Sequence, residues 1–251
     1  MKKICCTVAI ATLSAILSLP AAAGLHEDMV AFDRAYVPAL ALTNQPKSDA
    51  SKRALERLRA QWNAFRAAYP TAPAGYPADR WASTELEIEA AIAAAEKNLA
   101  ASRSLDAHED LERVREAQYT LRRSAKAPYF LDDLTAFHTA MEKLAGAAAG
   151  RNAATITDAE LAAIRAAHAE AERAWKDVLA NRSMIAQHGI AADKVAAVQA
   201  QIDVESKTLA EVKAALDAND KAKAIERSIA TKPAFSKLFS MFGDFSAVAG
   251  G

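Results

Sequence analysis

The chain has 251 residues, and its 31 lysines and arginines balance its 31 aspartates and glutamates. That neutrality gives no reason to expect nucleic acid or an anionic membrane as a partner. Alanine, the best helix former, supplies about a quarter of the residues, glycine and proline are sparse, and no stretch alternates as a β-strand does; a sheet-rich fold is excluded.

The first 23 residues read as a secretory leader. Lys2 and Lys3 form a positive start, residues 8–19 an apolar core, and residues 21–23 (three alanines) a small-residue cleavage site. The apolar run is too short to span a membrane. Cleavage after Ala23 removes Lys2, Lys3, Cys5 and Cys6, the only cysteines, and leaves 29 cations against 31 acids. The expected product is a soluble periplasmic chain with no transmembrane segment, no disulfide, no thiolate metal site and no covalent c-type haem.

Nine helices are predicted from there on. Leu25, Met29, Phe32, Tyr36 and Leu40 mark the first, kinked by Pro38. Leu55, Leu58, Trp62, Phe65 and Tyr69 mark the second, which ends in the Pro- and Gly-bearing segment 70–77. Ile88, Ile92, Ala95 and Leu99 mark the third. Asp106 and Glu109 resemble a capping box that opens the fourth, with Leu111, Val114 and Leu121 on its face. After Pro128, a fifth stripe runs through Phe130, Leu134, Phe137, Met141 and Leu144 to Gly150. Thr157 and Glu160 box the start of the sixth, which carries Leu161, Ile164, His168, Ala171, Trp175 and Val178. Val198, Ile202, Glu205, Leu209 and Val212 mark the seventh. A short eighth over 217–230 and a Phe-rich ninth after Pro233 close the chain, the ninth capping the second unit. Apolar spacings of three and four give each helix one face to bury, the pattern of helical bundles.

Laid on itself, the chain repeats at an interval of about 105 to 113 residues. Phe32 falls on Phe137, Trp62 on Trp175, Leu55 on His168 and Ala95 on Glu205. The expected fold is therefore all-α: two tandem antiparallel up-and-down bundles, an internal duplication sharing a long central helix. Its parts are a signal peptide over 1–23, a first repeat over 24–136 and a second over 137–251. Trp62 and Trp175 read as matching core anchors.

No CxxCH, HExxH, Gly-rich phosphate loop or GxSxG elbow is present. The repeat supplies one clue. Where the first unit has Leu55 and Ala95, the second has His168 and Glu205 on its buried stripe. Counting levels through antiparallel hairpins brings His138 to the same height, with Glu142 one turn on and Met141 beside it. Imidazole and carboxylate groups from facing helices can ligate zinc, copper or iron, or hold non-covalent haem. The alternative is a buried pair in which His168 and Glu205 neutralise each other. His108, Glu112 and Glu116 share a helix flank at chelating spacing, although that flank reads as solvated. His26 would sit at the new N-terminus, placed to wrap copper(II), and His188 reads as a water-facing turn residue. The leading expectation is a non-enzymatic binding or scaffold module acting on a periplasmic protein or small ligand. The second is a metal- or haem-binding bundle using His138, His168, Glu205 and Glu142.

Overall fold

The apolar stripes fold into helices throughout, and the described residues contain no strand. The computed structural model describes residues 24–44, 49–246 and 248; the expected leader lies outside them. In chain order the helices are α1 (Leu25–Thr43), α2 (Asp49–Ala68), α3 (Ala78–Ala100), α4 (Ser104–Ser124) and α5 (Phe130–Ala148). They continue with α6 (Asp158–Asn181), a 3-10 segment (Arg182–His188), α7 (Ala192–Asp217) and α8 (Lys221–Ser240). None is long and apolar enough to cross a membrane.

The expected capping box at α6 is present: Thr157 accepts from the Glu160 N–H while Glu160 reaches back to Thr157. The one expected at α4 is not, because α4 starts two residues earlier than Asp106 and Asp106 pairs with Arg103 at 3.1 Å. The eighth and ninth predicted helices are a single helix, α8, which runs through Pro233. Proline forfeits one backbone bond, and the buried Ile225, Ser228, Thr231, Phe235 and Leu238 keep the helical spacing on both sides of it. Nor is α5 a long strut. It has 19 residues, as α1 does, which is about 28 Å at 1.5 Å per residue. A break containing Lys126, in the left-handed region at φ 53°, and Pro128 separates it from α4. The boundary expected at 136/137 falls inside α5.

The helices pack in pairs: α1 on α2, α3 on α4, α5 on α6 and α7 on α8. Contacts between α1 and α4, and between α5 and α8, join these pairs, while α1–α8 and α4–α5 contacts connect helices α1–α4 to helices α5–α8. Aromatic rings fill the interior. Phe32 meets Trp62 edge-on at 5.6 Å, Phe65 stacks on Trp81 at 6.0 Å, and Phe137 meets Trp175 at 4.5 Å. Beyond α8 the chain crosses to the first helices. The Asp244 N–H donates to the Arg34 carbonyl at 2.9 Å, and Arg57 donates to both the carbonyl and the carboxylate of Asp244 at 2.7 Å. The terminal segment therefore ties the end of the chain to α1 and α2, in addition to the packing of Phe235 on Phe137.

Candidate functional site

Three helices turn a mixed face toward one another beside their apolar stripes. On α4, His108, Glu112 and Arg115 follow at i, i+4 and i+7, flanking the buried Leu111 and Val114. On α5, His138 and Glu142 lie beside the buried Phe137 and Met141. On α8, Lys232 precedes Phe235 and Phe239 by one and two turns. With the end of α1 they enclose a cleft of about 680 Å³, within the size range of small-molecule pockets.

A continuous chain of polar contacts crosses this cleft. His108 donates from Nδ1 to the Leu40 carbonyl of α1 at 2.9 Å, and its Nε2 lies 3.5 Å from Glu112. Glu112 pairs with Arg115, and Arg115 donates from Nη2 to His138 Nδ1 at 2.7 Å. His138 Nε2 lies 3.5 Å from Glu142, which accepts from Lys232 Nζ at 2.9 Å. Burial holds His138 far below the ordinary imidazole range, and the charges of Arg115, Lys232 and His108 push the same way. Arg is always a donor, so His138 is neutral, with Nδ1 accepting and Nε2–H facing Glu142. Arg115 is only 4% exposed and its guanidinium lies over the Phe239 ring at 5.6 Å.

Of the sequence-predicted residues, His138 and Glu142 meet here; His168 finds partners elsewhere, and Glu205 is buried away from the cleft. His168 is buried, donates from Nε2 to the Leu209 carbonyl at 2.9 Å and has Glu172 at 3.7 Å from Nδ1. Glu205 is 0% exposed, and neither carboxylate oxygen has a hydrogen-bond partner. Burial pushes its carboxyl up to about 8. Among the described residues no three His, Cys, Asp or Glu side chains come together as metal ligands. At the cleft the reason is physical, since the Arg115 cation stands between Glu112 and His138. Across the α6–α7 hairpin, His168 meets the backbone one turn beyond Glu205 rather than the Glu205 side chain. His108 is half-buried rather than solvated, and Glu112 and Glu116 line the cleft with it.

A second polar cluster, which the sequence reading missed, lies at the start of α5. Tyr129 donates to Asp33 at 2.5 Å, Arg122 donates twice to Asp132 Oδ1 at 2.9 and 2.6 Å, and the Arg122 guanidinium stacks on the Tyr129 ring at 4.1 Å. Burial raises the Asp33 carboxyl to about 6 against the pull of Arg122 and Tyr129. His188, expected in water, is 2% exposed and meets Tyr129 edge-on at 4.6 Å. Its imidazole is driven down to about 3, chiefly by burial. His26 packs on both rings, at 5.5 and 5.8 Å, and donates from Nε2 to the Gln187 carbonyl. The only sequence signal for this cluster was a set of acids and arginines on otherwise apolar stripes. Neither family models, curated proteins nor solved structures give a match to this chain.

Proposed function

We propose that the chain is an exported, non-enzymatic binding module, built from a duplicated four-helix unit, that holds a small organic ligand in the cleft between α1, α4, α5 and α8. The leader-like residues 1–23 support export to the periplasm. The duplication rests on matched packing: α1, α2, α3 and α4 pair as α5, α6, α7 and α8 do. It also rests on equivalent ring contacts, Phe32 on Trp62 and Phe137 on Trp175.

The observation that carries the binding reading is the cleft itself, a 680 Å³ space with a fixed ionic chain along it and Phe235 and Phe239 in its wall. The groups of that chain are engaged with one another and His138 is held neutral, so the cleft presents a fixed pattern of dipoles and charges beside an apolar surface. That suits selective holding of a ligand by shape and preorganised polarity.

Native mass spectrometry of the purified protein tests this, compared with Ser236→Trp, which puts an indole into the cleft from an exposed position. A small bound mass in wild type, lost in an equally stable variant, is expected. No bound mass in wild type, or one that persists in the variant, overturns the cleft assignment. A stoichiometric metal or haem instead turns the reading to the metal-binding alternative.

A further inference from the structure

A second cavity, of about 490 Å³, opens where α4 ends and α5 begins. We propose that it binds a free α-amino acid: the ammonium group goes to Asp132 and Asp133, and the carboxylate to Arg123 and Lys126. This site is separate from the cleft above and does not depend on that reading.

Four features carry the assignment. Asp132 lines the cavity and is 4% exposed, with Oδ1 taken by Arg122 and Oδ2 buried without any partner. A buried carboxylate oxygen lacking a donor calls for one, and an ammonium group supplies it, the charge of Asp132 being balanced by Arg122. Asp133 is the neighbouring acceptor, oriented by Asn181, which donates to its Oδ2 at 2.9 Å. Arg123 and Lys126 line the same cavity from the end of α4, are exposed, and form no ion pair among the described residues. Arg123 is near enough to pull both carboxyls downward against their burial.

The charge pattern selects the ligand class. Asp133 and the donor-less Oδ2 of Asp132 share one space with Arg123 and Lys126, so a bare cation leaves Arg123 and Lys126 unmatched and a bare anion leaves those carboxylate oxygens unmatched. A zwitterion matches both. The Tyr129 ring and the Met184 side chain supply apolar wall for the side chain of the ligand.

Thermal-shift and calorimetric titration of the purified protein with each of the twenty standard L-amino acids tests the proposal. The best binder is then compared with its amide, which lacks the carboxylate, and with the corresponding acid lacking the amine. At least one amino acid should raise Tm and bind, and each truncated probe should bind at least tenfold more weakly. Asp133→Asn and Arg123→Gln, both outside the fully buried core, should each weaken binding at least tenfold without changing Tm in the absence of ligand. Ser236→Trp should leave the affinity unchanged, which separates this site from the cleft. Absence of binding by all twenty, equal binding of the amide or the deaminated acid, or wild-type affinity in both folded variants overturns it.

Discussion

Arg115 Nη2 donates a 2.7 Å hydrogen bond to His138 Nδ1, joining α4 to α5 through two nearly buried polar side chains. The guanidinium also holds Glu112, so one cation satisfies an acceptor on its own helix and another across the junction. Arg115→Met should therefore cost about 2–3 kcal/mol, because it strands Glu112 and leaves a buried imidazole acceptor without a donor. Urea unfolding measures the loss. The His138 imidazole, freed of a neighbouring positive charge, should titrate closer to its ordinary value by NMR. Unchanged stability would show that the polar chain does not contribute to joining the two groups of helices.

Stability should change little between about pH 4.5 and 6.5, because buried groups oppose one another there. His138 and His188 have folded pKa values below the unfolded value near 6.5. The unfolded state then binds more protons, so their contribution is complete above about 6.5 and is lost as pH falls. Glu205 and Asp33 have folded values raised to about 8 and about 6. Their contribution is complete at low pH and is lost as pH rises from the unfolded carboxylate values near 4 through the folded ones. Removing one side exposes the other: in His138→Gln, the stability difference from wild type should shrink by about 1–2 kcal/mol between pH 6.5 and 5. Urea midpoints across that range check it, and parallel curves for variant and wild type would refute it.

The helices were legible because an apolar residue every three or four positions leaves few other ways to bury that surface. The Thr157–Glu160 cap was legible because the motif contains its own partners. Burial of His168 and Glu205 could be read from the apolar stripes of α6 and α7 on which they fall, and both are buried. Their partners could not be read, since a helix face does not state which neighbour covers it, and His168 found the Leu209 carbonyl instead of Glu205. Arg115, Arg122 and Asp33 were hidden for a related reason. A charged residue on a stripe looks like solvated surface until a second helix closes over it. His188 precedes Gly189, a turn signal that ordinarily means exposure, yet the turn folds its ring against Tyr129, Phe130 and Phe242. The sequence pattern places Pro233 between an eighth and a ninth helix, whereas α8 continues through it.

Glu205→Leu should stabilise the protein, and more at high pH than at low. The wild-type carboxyl is fully buried without a partner, so it stays protonated in the folded state at pH 7 while the unfolded state ionises. The cost of holding that proton grows between about pH 4.5 and 8. The leucine variant escapes it, with an expected gain on the order of 2 kcal/mol at pH 8 and little at pH 5. Chemical denaturation at the two pH values gives the comparison. A variant less stable than wild type at pH 8 would mean that Glu205 has a stabilising partner in solution.

The terminal segment should behave as a latch whose strength depends on Asp244. Its carboxylate receives Arg57 at 2.7 Å and lies 3.8 Å from Arg34, while Arg53 donates to the Val248 carbonyl at 3.2 Å. Hydrogen bonds from Ser246 and Arg57 hold the Asp244 carboxyl well below the usual carboxylate range. Its contribution is therefore present above the unfolded value near 3.9 and is lost only as pH falls toward the folded one. Because the pair is partly exposed, Asp244→Ala should cost only about 1 kcal/mol, less at high salt. The preceding Gly243 tests the same contact by shape rather than charge. A β-carbon there would come within 2.9 Å of Val37, Pro38 and Phe245, so Gly243→Ala must push the segment away from α1. Both variants should speed amide exchange from Phe242 to Val248 while leaving α5 to α7 protected. If exchange instead rises uniformly along the chain, the segment is part of the global folding unit and not a separable latch.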